Sequence, residues 1–129
     1  MKLFLLRHAT PDWHRKDIPY DILPGPALLA HGEAEAQALG TFMKSEGLKK
    51  IYYSPFERSA QTAKIVATMN QIPCIEEKAL AEWRGEDETE AQVRARMLSL
   101  LSGLPMRAWK WVPSLLFLMA DRSLYYYWS

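Results

Sequence analysis

Apolar and polar positions alternate between two periods along the first hundred residues, and the switches between them predict the elements. Lys2–Leu6 is a short apolar run ending at a polar Arg-His pair, which suits a buried strand with a functional loop at its carboxyl end. The stretch to Pro26 holds Pro11, Pro19, Pro24, Gly25 and Pro26. Each proline removes a backbone donor and biases its predecessor away from helix, so this segment reads as loop. From about His31 to Glu46, Ala34, Ala38, Leu39, Phe42 and Met43 recur at helical spacing, and Gly47 supplies the stop.

Leu48–Tyr53 reads as a second strand, with Ser54-Pro55 opening the next turn. Phe56 to Met69 sets Ala60, Ala63, Ile65, Val66 and Met69 mainly on one side of a second helix. Ile72–Ile75 is a third short strand, and Glu88 to Leu101 a third amphipathic helix with Val93, Met97, Leu98, Leu100 and Leu101 as its apolar members. Strands alternating with helices of this length predict an α/β unit, a mostly parallel sheet covered by helices on both faces in a three-layer sandwich. Ligands in such sheets sit outside the carboxyl ends of strands, where both the Arg-His pair and Ser54-Pro55 fall.

Composition changes the picture at one point. The chain has 129 residues and a formal charge of +1, so nothing points to nucleic acid or to a charged membrane surface. The single Cys74 excludes an internal disulfide and fits a reducing, cytoplasmic setting. The leading apolar run is too short for a signal-peptide core. Near Pro105, however, the character of the chain breaks. Of 15 acidic residues only Asp121 lies beyond Glu90, while Trp109, Trp111, Trp128 and Tyr125–Tyr127 crowd the end. Residues 1–104 therefore read as one domain and 105–129 as an atypical tail. Leu115–Ala120 is too short to cross a bilayer.

The candidate chemistry lies in four ordered segments. Leu5-Leu6-Arg7-His8-Ala9-Thr10 comes first, and Leu28-Leu29-Ala30-His31-Gly32-Glu33 leads into the first helix. Ser54-Pro55-Phe56-Glu57-Arg58-Ser59-Ala60-Gln61-Thr62-Ala63 and Leu80-Ala81-Glu82 follow. Together they resemble the histidine phosphatase superfamily, the phosphoglycerate mutase-like proteins, over most of residues 1–104. Ala9 stands where the usual form has glycine.

The resemblance implies a phosphoric monoester hydrolase acting through phosphohistidine. Arg7 and Arg58 would clamp the phosphate, since a planar guanidinium binds it bidentately and stays charged. His8 would attack phosphorus, and Glu82 would protonate the leaving alkoxide. For that role Glu82 must hold a proton near neutral pH, which partial burial or the incoming phosphate would favour. Glu86, Asp87, Glu88 and Glu90 lie close enough to compete for it. His14, after Trp13, falls where relatives often carry a phosphate-contacting Asn, although a surface histidine is the simpler reading. His31 and Cys74 are given no role. No cofactor is implied, and the three scattered histidines have no zinc-binding spacing. The expected partner is a small phosphomonoester.

One departure stands out. The family's later strand leads into Ser/Thr-His-Gly-Gly, whereas this chain has no histidine after His31. The fold is therefore expected to be incomplete at its carboxyl end and turnover to be impaired, with a non-catalytic phosphate- or phosphopeptide-binding module, a mutase-type transferase or a non-functional product as alternatives. A shifted reading frame would account for the tail. Codons starting one base early across Leu115–Ser123 can read Val-Val-Ser-His-Gly-Gly-Ser-Val, the first of those glycines being forced by Met119 and Ala120. The contrasting expectation is a genuine apolar strand or helix that completes the sheet.

Overall fold

The computed structural model describes residues 2–82, 87–102 and, as backbone, 116–120. Strand β1 is Lys2–Leu6, helix α1 Ala30–Met43, strand β2 Leu48–Tyr53, helix α2 Glu57–Asn70, strand β3 Cys74–Glu76, helix α3 Glu90–Ser102 and strand β4 Leu116–Ala120. The sheet order is β1-β4-β2-β3. β3 lies parallel to β2, and β4 runs antiparallel to both β1 and β2, so three of the four strands of this sheet share one direction. The α/β class with a mostly parallel sheet is thus the one adopted.

β4 gives the contrasting expectation for the tail a concrete form, since Leu116–Ala120 is a strand inside the sheet. Its direction matters for the site. Ala120 pairs with Lys2 and Leu48, at the end of the sheet away from His8. The other residues of 103–129 lie outside the described residues, as do the expectations placed on them.

The core forms where one sheet face meets α1 and α2. Phe4, Ile51 and Tyr53 project from alternate strand positions onto Met43, Ala63 and Val66. Period-two strands and period-3.6 helices can present continuous apolar faces to one another only in this way. The stripe of α1 differs from the sequence reading. Gly32, Ala36, Gly40 and Met43 are its buried residues, whereas Ala34, Ala38 and Phe42 face outward, Phe42 at 64% exposure. Small residues on the buried stripe let α2 approach closely. A Cβ at Gly40 would lie 2.6 Å from Met69 Sδ, and Asn70 Nδ2 donates to Gly40 O at 3.0 Å.

Two boundaries also move for physical reasons. β3 begins at Cys74 rather than Ile72 because Pro73 has no N–H to give. Its carbonyl still accepts from Ile51 N at 3.0 Å. α3 begins at Glu90 rather than Glu88 because Thr89 and Gln92 form a capping box. Gln92 N donates to Thr89 Oγ1 at 3.2 Å and Thr89 N to Gln92 Oε1 at 2.8 Å. Glu88 is left to take Arg96 in a two-point ion pair, while Arg96 also donates to the Ala79 carbonyl. Val93 is buried on α3, and Leu98 faces outward. No helix among the described residues is long and apolar enough to cross a membrane.

Gly32 joins the fold to the site. A Cβ there would sit 2.2 Å from the Thr10 carbonyl oxygen, a backbone atom with little freedom to retreat. Gly32→Ala should therefore lower stability by about 1–3 kcal/mol, read as a lower urea midpoint at unchanged slope. Gly40→Ala should cost less, since the end of the Met69 side chain can move aside; equal losses would contradict this packing.

Candidate active site

β1 delivers Arg7 and His8 to the carboxyl edge of the sheet, and the two helices then fix the backbone that follows. Ala9 N donates to Thr62 Oγ1 on α2 at 3.0 Å, and that hydroxyl donates onward to Arg58 O at 2.7 Å. Thr10 N and Thr10 Oγ1 donate to the two carboxylate oxygens of Glu35 on α1, at 2.9 and 3.0 Å. Those two bonds hold the Glu35 carboxyl below the usual carboxylate range. Leu29 N also donates to Thr10 O at 3.1 Å. The residues after His8 are therefore tied to both helices.

This anchoring sets the chemistry of the ring. His8 Nδ1 lies 2.8 Å from the Ala9 carbonyl oxygen, which can only accept, so Nδ1 carries the proton. Nε2 is left with its lone pair free. The Tyr20 hydroxyl lies 3.3 Å from that atom and must be the donor. Burial pushes the His8 pKa below its ordinary value, the Ala9 carbonyl works against that shift, and the Arg58 and Arg7 cations reinforce it. A neutral imidazole with an unprotonated Nε2 is the result.

Arg58, the second residue of α2, is 1% exposed. Its Nη1 donates to the Tyr20 carbonyl at 2.8 Å, and its Nη2 pairs with Glu82 Oε2. The guanidinium carbon lies 3.9 Å from the Tyr20 ring centroid and 4.3 Å from that of Phe56. The loop can come this near because Gly25, at φ 70°, has no side chain; a Cβ there would lie 2.8 Å from Arg58 Nη1. Further bonds seat the loop. Leu28 N donates to Gln61 Oε1 at 2.6 Å, and Glu57 N donates to the Pro24 carbonyl at 2.8 Å.

A small cavity opens among these groups. His8, Arg58 and Glu82 line it with Ser54, Phe56 and Ser59, and Leu80 closes its side. Three of the residues singled out in the sequence thus share one pocket. Arg7 is exposed and is not in that lining, yet its charge acts on both His8 and Tyr20. His14 is exposed as well; its backbone N–H donates to Asp12 Oδ1, and its side chain is not in the lining. Of the acidic rivals, Glu88 is engaged with Arg96 and Glu90 with Arg94, while Glu86 lies outside the described residues. No group of three His, Cys, Asp or Glu among the described residues could hold a metal ion.

Sequence reasoning missed Tyr20, Thr62, Gln61 and Gly25 as parts of the site. Gln61 and Thr62 lie within the Ser54–Ala63 segment, where helical spacing from Arg58 could have marked them. Nothing local distinguishes Tyr20 from any other aromatic residue in a proline-rich loop.

Comparison with known proteins gives the family and the fold. Residues 3–100 match the family model described as histidine phosphatase superfamily (branch 1). The chain is 33% identical over 82 residues to Phosphoserine phosphatase 1 of Hydrogenobacter thermophilus, an alignment covering 64% of this chain and 38% of that protein. Its fold resembles the solved structure of Bacillus stearothermophilus YhfR, with a TM-score of 0.52 and 22% identity over 81% of this chain and 54% of the other. It therefore spans well under half of the curated relative and about half of the structural one. With the family match running from β1 through most of α3, this chain belongs to the histidine phosphatase superfamily.

Proposed function

We propose that the chain is a metal-independent phosphomonoesterase unit in which His8 Nε2 accepts the phosphoryl group. The observation that carries this reading is the His8 ring itself, with its proton held on Nδ1 by Ala9 and its free nitrogen at a pocket shared by Arg58 and Glu82. The Nε2 lone pair forms the N–P bond as the ester P–O bond breaks, and the departing oxygen takes a proton from Glu82. Water then attacks phosphorus, Glu82 recovers the proton, and the N–P bond breaks to release inorganic phosphate. Arg7 and Arg58 offset the negative charge of the equatorial oxygens.

Glu82 and Arg58 are coupled in this scheme. A dianion entering the pocket competes with Glu82 for the guanidinium, and a carboxylate beside a dianion takes up a proton more readily. The substrate would thus help load its own acid. Phosphatase is preferred to mutase because the loop after His8 is compact, folded back by Asp12 N donating to Ala27 O at 2.7 Å. A small phosphomonoester in a reducing, cytoplasmic setting is the expected substrate context, and His14 remains a proposed phosphate contact. No histidine follows His31, so hydrolysis of the phosphoenzyme should be slow. A shifted frame for 105–129 belongs to the same reading, and genomic DNA across codons 100–129 checks it: absence of a Ser-His-Gly-Gly reading in every frame rejects it.

Two measurements test the chemistry. Mixing with labelled p-nitrophenyl phosphate and quenching without acid should trap an acid-labile phosphoenzyme in the wild type and none in His8→Ala. Arg58→Gln should form it on the order of a hundred- to a thousandfold more slowly. Label that persists in His8→Ala would refute the assignment, and phosphate-competed binding that leaves no label would mark a phosphate-binding module instead.

The pH dependence has a definite sign. Because burial lowers the pKa of His8 from 6.5, an NMR titration of its ring should give a midpoint below 6.5, and phosphoenzyme formation should persist into that range. Folding keeps this imidazole neutral, so its contribution to stability is complete above the unfolded value. That contribution is lost as pH falls toward the folded one. A midpoint above 6.5 would contradict the buried, cation-flanked environment.

A further inference from the structure

The phosphoryl-transfer reading leaves Tyr20 unused, yet the structure fixes it more firmly than its place in a loop would suggest. Trp13 stacks on its ring with centroids 4.5 Å apart and planes at 17°. Arg58 lies against the ring and donates a hydrogen bond to the Tyr20 carbonyl. Its hydroxyl stands 3.3 Å from His8 Nε2, the atom with the free lone pair. A surface tyrosine has no need of three such contacts.

We propose that Tyr20 is a further catalytic residue, its hydroxyl donating a hydrogen bond to a phosphoryl oxygen while His8 Nε2 attacks. The assignment rests on the phosphoryl-transfer reading given above. Reacting atoms meet from about 3–3.5 Å, which is the separation at which the hydroxyl now faces Nε2. Arriving phosphorus must therefore take over the Nε2 lone pair and release the phenolic O–H from it. The ring is pinned between Trp13 and Arg58, so the hydroxyl has little room to leave. The nearest acceptors it then meets are the oxygens around that phosphorus.

No proton changes hands in this role. Burial raises the Tyr20 pKa, with the Arg58 cation working against the shift, so the phenol stays a neutral donor near neutral pH. Such a donor is worth most when charge gathers on the oxygens it faces, that is, in the transition state rather than in the bound ester.

Orthovanadate, which adopts five-coordinate geometry beside a nucleophilic nitrogen, is the direct probe. Calorimetry on the full chain would compare the wild type, Tyr20→Phe and His8→Ala. Phe keeps the aromatic stack and removes only the hydroxyl, so a thermal melt should be unchanged. Vanadate binding by Tyr20→Phe should weaken on the order of ten- to a hundredfold, with inorganic phosphate affected much less. With p-nitrophenyl phosphate, the single-turnover rate of phosphoenzyme formation should fall while the concentration giving half that rate holds, a split that a merely structural role would not produce. Unchanged or tighter vanadate binding overturns the proposal, the tighter case showing that the phenol competes for Nε2. If His8→Ala binds vanadate as well as the wild type does, the phosphoryl-transfer reading fails and Tyr20 falls with it. Loss in His8→Ala alone removes only the Tyr20 role. Should Tyr20→Phe melt early, Trp13→Phe supplies the control, since a loss through stacking alone would appear there equally and would overturn the proposal.

Discussion

A guanidinium almost without solvent contact has to be matched on every side, and Arg58 imposes that demand on this fold. Removing such a cation from water is costly unless its donors and its faces find partners. The partners come from separate stretches of chain. The proline-rich loop supplies the Tyr20 carbonyl and ring, the β2–α2 turn supplies Phe56, and the segment after Leu80 supplies Glu82. Gly25 leaves the gap through which the loop reaches the cation. Building the fold and building the site are here one event. Cutting Arg58 back would do more than lose the proposed phosphate contact, because it would strand the groups that gather around it.

His8 benefits from the same economy of structure. Its ring position is inherited from a backbone tied to α2 through Thr62 and to α1 through Glu35 and Leu29. The Ala9 carbonyl then selects the tautomer, and the Arg58 and Arg7 cations discourage protonation of the free nitrogen. Little reorganisation is left for the moment of reaction, which is the condition under which fixed dipoles and charges lower a barrier most. The Arg58–Glu82 pair fits the same logic. It holds a buried cation beside a carboxylate that keeps partial access to solvent.

Much of this was legible in the sequence. β1, β2 and α2 stand close to where hydrophobic period placed them, and the Arg-His and Ser-Pro-x-x-Arg segments singled out His8 just after β1 and Arg58 at the start of α2. What escaped did so for identifiable reasons. The buried stripe of α1 includes Gly32 and Gly40, which a count of apolar side chains passes over. The start of α3 was set by Thr89 and Gln92, a capping signal present in the sequence but weaker to the eye than the acidic run beside it. β3 yielded its first residues to a proline. The direction of β4 depends on pairing between segments far apart in the chain, and local pattern carries no such information. Tyr20 earns its place only through contacts with Trp13, His8 and Arg58, all of which exist only after folding.

The central claim is that the fold presents Nε2 of His8, and not Nδ1, to a phosphoryl donor. Nitrogen-15 and phosphorus-31 NMR of the protein after reaction with phosphoramidate would read this directly. A single phosphoramide on His8, with phosphorus coupled to Nε2, is the expected product. Coupling to Nδ1, or a phosphoryl group on any residue other than His8, would contradict it.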